Sequence, residues 1–233
     1  MNSKTALRSC LPVLAVVGLF SSSKLQADPI QASCRTTCLG KWNGPELFIK
    51  HGSDYQKISL LDLGLSQPYL IPSDNQVSIY QENADAGAAD PYTLIREVFL
   101  PKEMTDAILV FIPGEKGAKF ELKVLDFNIK TYPGGAARFV NLCAESVEVT
   151  LGDQHKVLAP DEMGLLGEEV TDKTTSAMAA SFLSKEDDDL QPGLIKTVLL
   201  RTPTKRQTFF LSSLKKPDGP PTLTFRVLVD FKR

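Results

Sequence analysis

The stretch Thr222-Leu223-Thr224-Phe225-Arg226-Val227-Leu228-Val229-Asp230-Phe231, near the C-terminus, decides the fold class. Leu223, Phe225, Val227, Val229 and Phe231 alternate with Thr222, Thr224, Arg226 and Asp230. A period of two places one set of side chains on each face of a pleated strand, so this segment reads as a strand with one apolar face and one wet face. The same period recurs upstream, where Phe120, Leu122 and Val124 alternate with Lys119, Glu121 and Lys123, and Val147, Val149 and Leu151 alternate with Glu148 and Thr150. Half-buried antiparallel strands have this pattern.

Turn residues separate the alternating runs: Gly52-Ser53-Asp54, Pro113-Gly114-Glu115-Lys116-Gly117, Pro133-Gly134-Gly135 and Gly152-Asp153. The last links Val147–Leu151 to Gln154–Leu158 and suits a type II′ hairpin, whose first turn position needs a positive φ that glycine accepts at little cost. Further strands are predicted at Leu47–Lys50, Gln56–Leu61, Val77–Gln81, Thr93–Leu100, Ala107–Ile112, Arg138–Cys143, Ala179–Ser184, Ile195–Arg201 and Gln207–Ser212. The segment Glu162–Ala180 lacks a sustained period and reads as a loop, Asn83–Pro91 and Lys215–Pro221 read as exposed connections, and no internal repeat is evident. Many short strands with Gly and Pro between them indicate an all-β, antiparallel, immunoglobulin-like sandwich, with extra strands at the C-terminal end.

At the other end, Lys4 and Arg8 precede an apolar run from Cys10 to Phe20, followed by Ser21, Ser22 and Ser23. That is the order of a secretory signal peptide, and the run is too short for the roughly 20 residues of a membrane-crossing helix. Cleavage is expected after Ala27, with a cut after Ser23 as the competing choice. The expected organisation is a leader over 1–27 and a β-sandwich over 28–233, with a possible subdivision near 163–180. No cysteine follows the apolar run closely enough to carry a lipid anchor. Removal of the leader takes Lys4, Arg8 and Lys24 and no acid, leaving 23 basic against 28 acidic residues, so the net charge of −2 becomes −5. An acidic balance with both signs interspersed lacks the footprint of a nucleic-acid binder.

Export to an oxidising compartment permits disulfides. Cys34 and Cys38 are the candidate pair, closing a short local loop, while Cys143 reads as a buried small hydrophobe or as the partner of one of the other two.

A resemblance rests on the middle third of the chain: Phe120–Asp126, Tyr132-Pro133-Gly134-Gly135, Arg138-Phe139-Val140-Asn141-Leu142, Val147–Leu151 with Gly152-Asp153, and Leu158-Ala159-Pro160-Asp161-Glu162. This order resembles a group of uncharacterised exported bacterial β-sandwich proteins, with Asp161 standing where glycine is usual and Cys143 where a small polar residue is common. The resemblance implies the fold and export. It carries no activity and no catalytic residues.

The residues offer little for catalysis. His51 and His155 have no metal-site spacing, no G-x-S-x-G elbow is present, and Cys143 with His155 lacks a cysteine-protease context. The run Glu186-Asp187-Asp188-Asp189 lacks calcium-loop spacing and reads as solvated. Glu97, Glu121 and Glu148 lie on strands as wet-face residues. Among Trp42, Tyr55, Tyr69, Tyr80 and Tyr92, Trp42 lies between Lys41 and Asn43 and is the candidate ligand contact. No cofactor is expected. The expected function is that of a non-catalytic exported binding or envelope-assembly module, periplasmic or extracellular, whose partner is an envelope or extracellular protein or a glycan. The alternatives are a glycan-acting hydrolase, which needs a deep cleft holding two perturbed carboxylates, and a carbohydrate-binding accessory protein with exposed coplanar rings.

Overall fold

The computed structural model describes residues 32–72, 74–84, 90–114, 119–183, 194–216 and 219–231. The leader, the acidic run Glu186–Asp189 and the centres of the expected connections at Pro113–Gly117 and Asn83–Pro91 lie outside the described residues. Sixteen strands follow in order: Ser33–Cys38 (β1), Leu47–His51 (β2), Asp54–Lys57 (β3), Tyr69–Leu70 (β4), Gln76–Glu82 (β5), Tyr92–Phe99 (β6), Asp106–Pro113 (β7), Phe120–Asp126 (β8), Ala137–Asn141 (β9), Val147–Leu151 (β10), Gln154–Leu158 (β11), Met163–Leu166 (β12), Thr174–Phe182 (β13), Ile195–Arg201 (β14), Lys205–Lys216 (β15) and Gly219–Phe231 (β16). Among the described residues there is no helix.

The strands form four sheets of four, in the orders β4-β1-β7-β8, β3-β2-β5-β6, β12-β9-β15-β16 and β11-β10-β13-β14. The second eight strands repeat the connectivity of the first. In each half the first strand pairs parallel with the seventh and antiparallel with the fourth. The second strand forms a hairpin with the third and pairs antiparallel with the fifth. The corresponding hairpin turns carry Gly52 and Gly152, both at φ 63, and Asp153 has no positive φ, as a II′ turn requires. A repeat is thus present that the sequence does not display.

Each half is a sandwich. Leu47, Ile49, Val77 and Ile79 of one sheet face Ala107, Leu109 and Phe111 of the other. In the second half Val147, Val149, Met178 and Ala180 face Phe139, Phe209, Leu211 and Leu223. A third cluster joins the halves: Ile108 and Val110 of β7 and Leu125 of β8 meet Val140, Phe210 and Leu228 across the junction. The result is four layers with the two mixed sheets in the middle. β7 is buried on both faces, which is why Ala107–Ile112 is an unbroken apolar run rather than an alternating one.

Three readings are corrected. The segment Glu162–Ala180 is not a loop: Met163–Leu166 pairs with β9, and β13 begins at Thr174 and pairs with β14. Both strands belong to the second half, and the change from one half to the other falls between β8 and β9. The sheets are not wholly antiparallel, since β1∥β7 and β9∥β15 interrupt them. The first strand of each half lies inside its sheet, β1 between β4 and β7 and β9 between β12 and β15. Finally, Cys34 and Cys38 are four residues apart in one extended strand, which sets their α-carbons roughly 13 Å apart, too far for a disulfide. Both thiols, and that of Cys143, are buried and free.

Asp161 has φ 64, in the left-handed region where glycine is the default. Its side chain accepts from Lys123 Nζ at 2.9 Å, linking β8 to the second half.

Candidate functional site

The most concentrated polar chemistry lies where the halves meet. Arg35 comes from β1 and Asp106 from β7, Arg206 from β15 and Asp230 from β16. Arg35 donates from Nη1 to Asp230 Oδ1 at 3.1 Å and from Nη2 to both oxygens of Asp106 at 3.4 and 3.3 Å. Arg206 donates from Nη2 to Asp230 Oδ2, and from Nη1 to the Phe127 carbonyl at 2.6 Å. All four carboxylate oxygens therefore accept from a guanidinium. The rings of Phe127 and Tyr132 lie beneath the arginines: Arg206 is 4.9 Å from the Phe127 centroid, and Arg138 is 4.2 Å from that of Tyr132.

Burial dominates the electrostatics here. It holds the Asp106 carboxyl above its ordinary range, against the pull of Arg35 and Arg206. It lowers the basicity of Arg138 and raises the Tyr132 phenol. Arg138 Nη1 and Arg206 Nε are buried and have no hydrogen-bond partner among the described residues. A cavity of about 680 Å³ opens over the network, with Ser66, Thr105 and Asn128 at its polar rim and Leu65, Ile129 and Phe231 at its apolar one. Alternation alone does not reveal this arrangement, because it assigns Asp230 to the face that meets water.

The expected ligand contact, Trp42, is half-buried and packs edge-on against Phe111 and Phe120 at centroid distances of 6.2 and 5.6 Å. Its indole N–H is used by the Pro45 carbonyl at 2.9 Å. Tyr69 is buried and receives the Ser59 amide at its hydroxyl. Tyr55, Tyr80 and Tyr92 do converge, with Phe48, on the outer face of the β3-β2-β5-β6 sheet. They pack against one another: Tyr55 stacks on Tyr92 at 4.0 Å and meets Tyr80 edge-on at 5.0 Å, with Lys50 over both Tyr55 and Tyr80.

His51 is exposed at the β2–β3 turn, and His155 Nε2 lies 2.9 Å from Glu148 Oε1 on the outer face of the opposite outer sheet. Glu97 is exposed and bonded to Gln76, and Glu121 pairs with Lys123 at 2.7 Å. The structure does not gather these carboxylates. Burial drives the Cys34 thiol up to about 12, and those of Cys38 and Cys143 up to about 11. A thiolate nucleophile is therefore disfavoured at all three. Among the described residues no group of three or more His, Cys, Asp or Glu side chains is placed to hold a metal, and no helix is long and apolar enough to cross a membrane.

The strand edges present a second kind of site. β6 and β14 occupy the same place in the two halves, each at the free edge of an outer sheet. Both carry apolar side chains in solvent: Leu94, Ile95 and Phe99 on β6, Val198 and Leu200 on β14, with Phe99 71% and Val198 68% exposed. The sequence matches no protein-family model and no curated protein at a significant level.

Proposed function

We propose that this chain is an exported, non-catalytic binding or envelope-assembly module that engages another protein through its free strand edges. The observation carrying this reading is the pair β6 and β14. A seven- or eight-residue edge strand that bears uncovered aliphatic and aromatic side chains is a template for strand addition, and soluble proteins ordinarily blunt such edges. Here the feature occurs at equivalent places in both halves. The leader-like N-terminus and the resemblance to exported bacterial sandwich proteins support an envelope or extracellular setting.

The hydrolase reading draws less support. Both carboxylates in the junction cavity are tied to arginines, whereas a glycosidase pair needs one carboxyl free to donate a proton and one free to attack or activate water. The carbohydrate-binding reading needs ring faces side by side and open to solvent, and the tyrosine faces here are spent on each other.

A photo-crosslinking residue at Ile95 or Val198, in the cell that produces the protein, tests the reading. Discrete protein adducts are expected from both edges and none from the same probe at Thr150, on a central strand of the sheet. Adduct yields independent of position, or turnover of glycan substrates by the purified chain, would contradict it.

A further inference from the structure

We propose that the cavity between the two halves binds an organic ammonium or guanidinium group carried on an apolar stem, with Asp106 receiving the cation. This goes beyond edge pairing and rests on different residues. The volume of about 680 Å³ lies within the range of small-ligand sites. Of the four ionic side chains lining it, Arg206 and Asp230 are 6% and 8% exposed and Arg35 is 17% exposed, while Asp106 is 33% exposed. The group offered to an occupant is therefore a carboxylate.

Its oxygens accept only the long bonds from Arg35, 3.3 and 3.4 Å, which leaves lone pairs on both for a shorter donor. Burial raises the Asp106 carboxyl more than Arg35 and Arg206 lower it, so a further cation at these oxygens would offset the desolvation. The two arginines do not offer a matching anion site. Arg206 is held by Asp230 and the Phe127 carbonyl, Arg35 is shared between both aspartates, and Arg138 lies near Asp126 behind the rings. The unpartnered Arg206 Nε is buried away from the opening, and both lining guanidiniums already face carboxylates, which repel an anion.

The mouth supplies the stem's surroundings. Ile129 and Val229 are each 37% exposed and Phe231 is 60% exposed, and all three line this one opening. Apolar side chains left in water around a charged floor fit an alkyl or aryl chain, and the Phe231 ring can face a cation. Two sources share this chemistry, a free amine and a lysine side chain of a partner protein.

The test is an NMR titration of ¹⁵N-labelled protein over residues 28–233 with n-hexylammonium, Nα-acetyl-lysine methylamide or hexanoate at matched ionic strength. Either ammonium is expected to shift amides around Ser66, Asp106, Ile129 and Asp230, with a dissociation constant on the order of 1 mM, as suits so small a ligand. Hexanoate is expected to leave them unmoved. Asp106→Asn should weaken ammonium binding at least tenfold. Phe231→Ser, at an exposed position that leaves the fold intact, should weaken it several-fold. A response to hexylammonium alone identifies a free amine, and a response to the capped lysine identifies a side chain. Hexanoate binding as strongly, no shift with either ammonium, or undiminished binding by Asp106→Asn would overturn the proposal.

Discussion

Asp230 bridges two arginines that arrive from different halves of the chain, and it is 7% exposed. Its position in the C-terminal alternation marks it as a wet-face residue, because a period of two distinguishes one face from the other and not water from a second sheet. Along β16 the buried side changes after Val227: Leu223 faces the second sandwich core, while Leu228 and Asp230 face the first half. Removing one partner of a buried pair strands the other, so Asp230→Ala should cost about 3–5 kcal/mol in urea denaturation. Asp106 behaves in the opposite way. Its folded carboxyl holds a proton to higher pH than the unfolded one, so the folded state binds more protons in that window, and this contribution to stability is lost as pH rises from the ordinary carboxylate value through the raised one. Asp106→Asn should therefore gain stability relative to wild type as pH rises through and above the ordinary carboxylate range, and a relative loss over that rise would contradict the sign. The thiols give a third check. With Cys34 near 12 and Cys38 and Cys143 near 11, these three thiols should resist iodoacetamide at pH 8 in the folded protein and take up label only in denaturant, with no mass change at them on reduction.

Individual elements were legible where one face meets water and one meets a core. Val147–Leu151, Gln154–Leu158 and Ile195–Arg201 have the predicted bounds. The strands that were missed had other signals covering them. Ser33–Cys38 reads as a cysteine-closed loop, Tyr69–Leu70 is too short for a period, and Met163–Leu166 alternates only through a glycine. Turns separate in the same physical way. At Gly152 a β-carbon would meet nothing within 4 Å, so only the left-handed φ opposes a side chain, and Gly152→Ala should cost about 1 kcal/mol. At Gly134 a β-carbon would lie 1.7 Å from the Pro203 carbonyl oxygen, so the β8–β9 connection has to move away from the loop before β15. Gly134→Ala should cost roughly 1–3 kcal/mol, and a smaller loss there than at Gly152 would contradict the close approach.

For the molecule as a whole, the fold class follows from alternation and turns, but the repeat does not. Strand order repeats between the halves while the outward side chains differ: Phe48 and Tyr55 in one hairpin correspond to Glu148 and His155 in the other. Connectivity is conserved through inward positions, which accept many apolar residues. The junction is hidden from sequence for a related reason, since Arg35, Asp106, Arg206 and Asp230 meet only after two separate sandwiches have formed. These halves share a buried junction, which should make them unfold as one body. Native-state hydrogen exchange of the chain in increasing urea distinguishes this from separate unfolding of the halves. Amides of β7, β9 and β15 should open together at the global unfolding free energy, with β6 and β14 exchanging earlier at their free edges. Separate opening of β7 and β15, at different urea concentrations, would contradict it.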